Sequence, residues 1–278
     1  MDVVRTKSEL QKLLSMSGKN KSVGFVPTMG ALHKGHLSLV DCATRDNDLV
    51  VASIFVNPTQ FNDSGDLERY PRDLNSDLKL LDSVKCGIVF APEEKEMYPE
   101  SDKRVFDFGG LDKVMEGKHR PGHFNGVAQI VSKLLDLIKP DRAYFGLKDF
   151  QQLTIVKALV KKMGLNTEIV ACPIVRENDG LAMSSRNRLL TVEERNESSL
   201  IAKTLLKARN LIHHKSVKEL AGWVIETVNK SNLLNVEYFE IVDAVNLKPV
   251  EDWNEPSVKI GCIAVYCGKV RLIDNIVF

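Results

Sequence analysis

The fold of this chain is decided by one stretch, Val23-Gly24-Phe25-Val26-Pro27-Thr28-Met29-Gly30-Ala31-Leu32-His33-Lys34-Gly35-His36-Leu37. Its first part is apolar and predicts a short buried strand over residues 23–26, ended by Pro27. Its last part opens an amphipathic helix from Leu37. The two histidines between them lie on one face of the first helical turn. The free N–H groups and the positive dipole end of that turn predict an anion site there.

Two alternatives stay open for His33 and His36. If the H-x-G-H motif is taken in isolation, surface residues at an ordinary helix start account for them equally well. They could also bind a metal, but the neighbouring sequence supplies no further ligands. The strand–loop–helix setting favours phosphate binding, because Lys34 adds a cation. Gly30 and Gly35 would let the backbone approach a flat ring closely.

Strands and helices continue to alternate beyond this unit. Residues 49–56 are apolar except for Ser53 and are typical of a central parallel strand, and residues 127–138 predict a strong helix. The alternation predicts an α/β fold, a Rossmann-like doubly wound and mostly parallel sheet. Ligands of such sheets bind outside the carboxyl ends of the strands. His36, Gln60 and Lys148 each follow a predicted strand end, which favours one shared site.

The character of the sequence changes near residue 176. A polar segment comes first, and Thr191 and Ser216 then open two capping boxes that predict helices. Three strands close the chain on hairpins. We therefore predict a Rossmann-like domain over 1–175 and a smaller α+β C-terminal domain over 176–278.

Composition limits the classes of function. The chain has 278 residues, 44% of them hydrophobic, and a net charge of +1, whereas a nucleic-acid-binding protein normally has a basic face. No apolar run is long enough to span a membrane, and the first residues lack the apolar core of a signal peptide. The five cysteines show no C-x-x-C spacing and suit a reducing compartment. We expect a cytoplasmic protein that binds neither nucleic acid nor a membrane.

Two later motifs could bind a nucleotide. Met183-Ser184-Ser185-Arg186 offers two hydroxyls and a guanidinium, which could wrap a triphosphate and balance charge on a leaving pyrophosphate. Taken alone, a solvated loop accounts for it better. Lys148-Asp149 could bind phosphate and ribose, although in isolation a helix start with Asp149 complementing the dipole accounts for it better.

Three further candidates stay open on the residues alone. Gln60 and Gln152 have amides suited to a small hydroxy acid, but on the sequence alone surface or capping glutamines account for them better. His119, Arg120 and His123 could form a mobile flap that contacts phosphate, or a plain basic loop. Asp77 could help to hold magnesium, or could belong to an acidic helix face.

Together these residues favour ATP used at its α-phosphate. The chain has no G-x-x-x-x-G-K-[ST] loop, and no G-x-G-x-x-G follows a predicted strand, so neither a Walker-type site nor a nicotinamide cofactor is expected. An H-x-G-H loop with a later Met-Ser-Ser-Arg loop is the layout of enzymes that join AMP to a carboxylate or a phosphate. In such enzymes the protein mainly positions the reactants and stabilises charge.

Several segments in order carry a family resemblance over nearly the whole chain. They are Pro27-Thr28-Met29-Gly30-Ala31-Leu32-His33-Lys34-Gly35-His36, Phe55-Val56-Asn57-Pro58-Thr59-Gln60-Phe61, Arg120-Pro121-Gly122-His123-Phe124, Lys139-Pro140-Asp141-Arg142, Gly146-Leu147-Lys148-Asp149-Phe150-Gln151-Gln152, Val175-Arg176-Glu177, Asp179-Gly180-Leu181-Ala182-Met183-Ser184-Ser185-Arg186-Asn187 and Arg271-Leu272-Ile273-Asp274-Asn275. The chain resembles the pantothenate synthetases, the pantoate–β-alanine ligases of the adenylylating nucleotidyltransferase superfamily.

The resemblance implies a two-step reaction with ATP and Mg²⁺. Pantoate and ATP would give pantoyl adenylate and pyrophosphate, and β-alanine would then give pantothenate and AMP. It also implies a homodimer and a C-terminal domain that closes over the site.

Site residues are carried over by position from the same resemblance. The implied catalytic residues are His36, as proton donor, with His33, Lys148 and Arg186. The implied ATP-binding residues are Met29, Gly30, Ala31, Leu32, His33, Lys34, Gly35, His36, Gly146, Leu147, Lys148, Asp149, Val175, Met183, Ser184, Ser185 and Arg186. Gln60 and Gln152 are implied to bind pantoate, with Gln60 also near β-alanine and Asn57 beside them. The protein ligands of magnesium stay open, because Ser76-Asp77 replaces a pair of acidic residues common in the family.

Two alternatives belong to other classes. A nucleotidyltransferase that moves AMP onto a phosphate ester would need a basic acceptor site where this chain has Gln60 and Gln152. An RNA-binding relative of the aminoacyl-tRNA synthetases would need a basic surface, which the near-neutral charge disfavours.

Overall fold

A computed structural model describes residues 1–18 and 20–278, and in this part of the chain the first sheet has six strands, all parallel. The strands are β1 Asp2–Val4, β2 Val23–Thr28, β3 Leu49–Ile54, β4 Ile88–Phe90, β5 Arg142–Gly146 and β6 Glu168–Cys172. Their order is β1-β4-β3-β2-β5-β6, so the chain winds outward in both directions from β2. The predicted doubly wound parallel sheet is confirmed.

Strand β2 runs further than predicted. It pairs with β3 from Val23 to Thr28, whereas its pairing with β5 ends at Phe25. Pro27 has no N–H to donate, and it lies where one edge of the strand is already unpaired, so it does not end the strand. The strand therefore delivers Met29 directly to the loop that follows.

Helices cover both faces of this sheet. They are α1 Lys7–Met16, α2 Lys34–Asp46, α3 Ser64–Arg69, α4 Leu74–Ser83, α5 Glu94–Met97, α6 Met115–His119, α7 His123–Ile138 and α8 Phe150–Met163. Phe25 packs in a core with α1, α7 and α8, and the next residue, Val26, packs in a second core with α2 and α4. Alternate strand residues thus fill opposite faces, as a buried parallel sheet requires.

The segment around His119, Arg120 and His123, predicted as a flap or a basic loop, contains parts of two helices instead. Helix α6 ends at His119, and α7 begins at His123 rather than at Val127. Gly122 makes the sharp turn between them with φ of 83°, a conformation that glycine adopts without a steric penalty.

The C-terminal region is α+β, as predicted, with one layer of helices and one antiparallel sheet. Its elements are α9 Val192–Arg209, α10 Val217–Val228, β7 Leu234–Asp243, β8 Lys259–Cys267 and β9 Val270–Val277. The strands are antiparallel in the order β7-β8-β9. Thr191 and Ser216 cap the two helices through complete capping boxes, and the apolar faces of α9 and α10 pack on the sheet.

By the density of contacts, the described residues fall into two compact units. The first contains residues 1–147 and 152–173, and the second contains 148–151 and 174–278. The five cysteines are free thiols, and four of them are buried. Within residues 1–18 and 20–278, none of the helices is both long and apolar enough to cross a membrane.

Candidate active site

The two histidines of the first loop lie side by side at the start of α2. Helix α2 begins earlier than predicted, and His33 is its N-cap. The Gly35 N–H donates to His33 Nδ1 at 3.1 Å, and the His33 N–H donates to His36 Nδ1 at 3.4 Å. The ring centroids are 4.1 Å apart. Two imidazoles therefore take the places that Ser or Thr and Glu hold in an ordinary capping box.

These contacts fix the tautomer of both rings. A ring nitrogen that accepts from a backbone N–H must have a free lone pair, so neither Nδ1 bears a proton. Both imidazoles are therefore neutral, with the proton on Nε2. Each ring can donate a hydrogen bond only through its Nε2–H group.

The loop before these histidines is held by a buried carboxylate. Asp77, on the first turn of α4, is 2% exposed. Its Oδ2 accepts from the Ala31 N–H at 2.9 Å and its Oδ1 from the Leu32 N–H at 2.7 Å. Gly30 and Ala31 have φ of 79° and 49°, so this carboxylate stabilises a left-handed turn that alanine rarely adopts. Both of its oxygens bind the backbone, which favours a loop anchor over a magnesium ligand.

A second polar cluster follows β3. A 3-10 helix at Pro58–Gln60 brings the Gln60 Nε2 to 2.7 Å from Met29 Sδ. Asn57, 1% exposed, donates to Gln60 Oε1 at 3.3 Å. Tyr98 donates to Asn57 Oδ1 at 2.8 Å, and burial raises the pKa of the Tyr98 hydroxyl, so it remains a donor. The structure thus brings together three of the predicted residues, Met29, Asn57 and Gln60.

The start of helix α7 and the turn before it contact the main chain of this cluster. A carbonyl oxygen can only accept, so His123 Nδ1 donates to the Gln60 oxygen at 2.7 Å, and Arg120 contacts His123 Nε2 at 3.3 Å. A Cβ on Gly126 would lie 2.2 Å from the Thr59 carbonyl oxygen, so only glycine permits this approach. His123 is buried. Arg120 and His123 therefore fix the Gln60 main chain. This role differs from both predictions for these residues, a mobile phosphate-binding flap and a plain basic loop.

The second unit carries the other nucleotide candidates. A short antiparallel bridge joins Arg176 to Ala182 and leads into residues 183–186. Ser184 caps a 3-10 helix at Ser185–Leu189 by accepting from the Arg186 N–H at 3.3 Å. At the turn of this hairpin, Asp179 pairs with Arg195 at 2.5 Å, and the Arg195 guanidinium lowers the pKa of Asp179.

The remaining predicted residues lie at element ends. Gly146 ends β5, and Leu147, Lys148 and Asp149 form the 3-10 turn after it. The Lys148 ammonium is 3.7 Å from Asp149 Oδ1. Gln152 lies half-buried in the first turn of α8. The Val175 carbonyl oxygen accepts from the Met183 N–H at 3.0 Å.

Several residues of these clusters were missed from the sequence. Tyr98 lies in a segment that has no helical or strand periodicity. Asp274 and Asn275 could have been found from the sequence, because they interrupt an apolar strand. A charged residue in such a strand is buried only when it is paired, so Asp274 predicts a buried partner. The structure pairs Asp274 with Arg176 at 2.6 Å.

Comparisons with known proteins identify the family of this chain. The profile of the family described as pantoate–β-alanine ligase matches residues 2–277. The chain belongs to this family. It is 53% identical over 277 residues to the pantothenate synthetase of Bacteroides fragilis strain YCH46, covering 99% of this chain and 98% of that one. It is 51% identical over 277 residues to the pantothenate synthetase of Porphyromonas gingivalis strain W83, covering 99% of each chain.

Two solved structures of family members share the whole fold. Pantothenate synthetase from Thermus thermophilus superposes with a TM-score of 0.92 at 43% identity, covering 99% of both chains. Pantoate–β-alanine ligase from Francisella tularensis superposes with a TM-score of 0.84 at 36% identity, covering 100% of this chain and 97% of that one. The latter was crystallised with a β,γ-ATP compound and β-alanine. The chain is therefore an enzyme of the ligase class.

Proposed function

We propose that this chain condenses pantoate with β-alanine in two steps, consuming ATP and releasing pyrophosphate and AMP. The observation that carries the proposal is the family match over residues 2–277. The two neutral imidazoles at the start of α2 support it, because a helix N-terminus with extra N–H donors suits a nucleotide phosphate.

In the first step, a pantoate carboxylate oxygen attacks the α-phosphorus of ATP. A new phosphorus–oxygen bond forms, the bond to the β-phosphate oxygen breaks, and pyrophosphate leaves. His33 and His36 donate hydrogen bonds through Nε2–H to phosphate oxygens, where negative charge develops in the transition state. Lys148 and Arg186 supply positive charge for the leaving pyrophosphate.

The other predicted residues bind the nucleotide without reacting. We propose that the ATP-binding residues in the first unit are Met29, Gly30, Ala31, Leu32, Lys34, Gly35, Gly146 and Leu147. We propose that those in the second unit are Asp149, Val175, Met183, Ser184 and Ser185. The Lys34 ammonium and the Ser184 and Ser185 hydroxyls can donate to phosphate oxygens, and the Asp149 carboxylate can accept from a ribose hydroxyl.

In the second step, the β-alanine amine attacks the acyl carbon of pantoyl adenylate. A carbon–nitrogen bond forms, the bond to the AMP oxygen breaks, and the amine loses a proton. We propose that Gln60 and Gln152 hold pantoate through both steps and that Gln60 also lies near β-alanine. Asn57 keeps the Gln60 amide oriented, because it donates to Gln60 Oε1.

We propose that magnesium arrives with ATP as part of the substrate. Among residues 1–18 and 20–278, no group of three or more His, Cys, Asp or Glu side chains could hold a metal ion. Asp77, the acidic candidate from the sequence, uses both carboxylate oxygens on backbone N–H groups. Phosphate oxygens are the ligands that Mg²⁺ commonly takes from nucleotides.

Three predictions from the sequence remain proposals. These are a homodimer, a cytoplasmic location, and a C-terminal domain over 176–278 that closes over the site. Light scattering of the purified chain measures the first.

An omission assay tests the proposed function. We expect AMP to form steadily only when pantoate, ATP and β-alanine are all present, and pyrophosphate to form in a stoichiometric burst when β-alanine is left out. Equal pyrophosphate release without pantoate would contradict the proposal. Replacing pantoate with a phosphate ester and obtaining the same burst would favour the alternative nucleotidyltransferase.

Replacing Gln60 with alanine is expected to raise the KM for pantoate about 10-fold or more, with little change in the KM for ATP. The reason is the loss of one or two hydrogen bonds to pantoate, each contributing about 1 kcal/mol. Initial rates at varied pantoate measure it. Gln11→Ala, at an exposed glutamine of α1, is the matched control. An unchanged pantoate KM would remove Gln60 from the pantoate site.

A further inference from the structure

Strand β9 contains two adjacent polar residues that the proposed reaction does not use. Asp274 and Asn275 are 3% and 4% exposed, and they face Ile263 and Cys262 of β8 across the sheet. A buried carboxylate and a buried amide on adjacent residues are costly unless each has partners. Their partners indicate a role.

Asn275 holds Lys148. Its Nδ2 donates to the Lys148 carbonyl oxygen at 2.9 Å. The two residues are 127 positions apart in sequence, yet residues 148–151 belong to the same compact unit as β9. The main chain that carries the Lys148 ammonium is therefore fixed to the C-terminal strand.

Asp274 holds the hairpin that leads to residues 183–186. Arg176 Nη1 donates to Asp274 Oδ2 at 2.6 Å, and Nη2 donates to Oδ1 at 2.9 Å. The same guanidinium donates to the Gly180 carbonyl oxygen at 3.0 Å, which closes the hairpin between Arg176 and Ala182. A bidentate pair of this kind fixes orientation as well as distance.

We propose that Asp274 and Asn275 are positioning residues, which hold Lys148 and residues 183–186 in the arrangement that nucleotide phosphates require. This inference rests on the proposed function, since it assumes that Lys148 and the 183–186 loop bind ATP. Neither Asp274 nor Asn275 contacts the substrate in this proposal. Asp274 acts through the Arg176 guanidinium and the Asn275 amide acts through the Lys148 carbonyl oxygen, so the two contacts can be tested separately.

The first test measures the anchor without any substrate. In Asn275→Ala, amide hydrogen exchange in residues 147–152 is expected to be about fivefold faster than in the wild type, since one hydrogen bond is lost. Asn235→Ala, at an exposed asparagine of β7 in the same sheet, is the matched control and is expected to exchange as the wild type does. Unchanged exchange in Asn275→Ala would overturn the anchor.

The second test is a double-mutant cycle on steady-state pyrophosphate release with pantoate, ATP and β-alanine all present. Asn275→Ala is expected to lower kcat/KM for ATP about fivefold, equivalent to one hydrogen bond, and to leave the KM for pantoate unchanged. In a Lys148→Ala background the same change is expected to have almost no effect on this rate, because the ammonium that Asn275 positions through the Lys148 main chain is gone. Independent, multiplicative losses would indicate a merely structural role and would overturn the inference.

The role of Asp274 is tested through its partner Arg176, because Asp274→Ala would leave a partly buried guanidinium without a counter-charge. Arg176→Lys keeps the charge but loses the bidentate geometry. We expect a higher KM for ATP with the KM for pantoate unchanged, and wild-type ATP kinetics would overturn the role of Asp274.

A wild-type chain that releases no pyrophosphate would overturn the proposed function, and this inference with it. If the wild-type chain releases pyrophosphate but the rate losses in the double-mutant cycle are independent and multiply, only the inference is overturned.

Discussion

Replacing His36 with alanine is expected to slow pyrophosphate release from pantoate and ATP by about 10²–10³-fold, the usual cost of removing one transition-state donor. The fold should be retained, because the half-buried imidazole lies at the very start of α2 and its contact with the His33 N–H is long, at 3.4 Å. Single-turnover rates of pantoyl-adenylate formation measure the effect. His213→Ala, at an exposed histidine of the second unit, is the matched control and should keep the wild-type rate.

The tautomer of His36 makes this prediction sharper. A neutral ring that donates through Nε2–H stabilises charge without giving up its proton, so an amide N–H in the same place should replace part of its action. His36→Gln is therefore expected to be faster than His36→Ala. If the two variants were equally slow, and the wild-type rate fell as pH rose through the histidine range, His36 would be a proton donor instead.

Replacing Asp77 with alanine is expected to have the second largest effect, on stability and rate together. Two buried N–H groups, those of Ala31 and Leu32, would lose a charged acceptor. We expect the free energy of unfolding to fall by about 3 kcal/mol, since a hydrogen bond to a charged group contributes about 1.5–3 kcal/mol. The rate should fall as well, because the loop that precedes His33 loses its side-chain anchor on α4. Urea unfolding and initial rates measure the two effects.

Asp82→Ala is the matched control for Asp77, since Asp82 is an exposed aspartate on the same helix. It should change neither stability nor rate. If Asp77 instead bound magnesium, the rate of Asp77→Asn would depend on the Mg²⁺ concentration. Rescue of that variant by excess Mg²⁺ would show that Asp77 binds the metal and not the loop.

Much of the fold could be predicted because it depends on local periodicity. The run at 49–56 is apolar because β3 is covered on both faces, and the boxes at Thr191 and Ser216 satisfy helix N–H groups within four residues. Short elements were missed for the opposite reason. Strand β1 has three residues and exists through its pairing with β4, which no local pattern can indicate.

The candidate site was predictable in its residue types but not in its supports. His33 was not expected as the N-cap of α2, because histidine is an uncommon cap and its partner is a second histidine. Asp77 lies 46 positions from Ala31, and Tyr98 lies 41 positions from Asn57. Such pairs are set by the packing of the sheet and its helices, so one sequence cannot reveal them.

The proposed reaction is tested most directly by the fate of the pantoate carboxylate oxygen. Pantoate labelled with oxygen-18 in its carboxylate is incubated with the chain, ATP and β-alanine. The oxygen-18 content of the AMP formed is then measured by mass spectrometry. Attack on the α-phosphorus predicts that the AMP carries one labelled oxygen and that pantothenate keeps the other. Unlabelled AMP, or the appearance of ADP and labelled inorganic phosphate in its place, would contradict a pantoyl-adenylate intermediate.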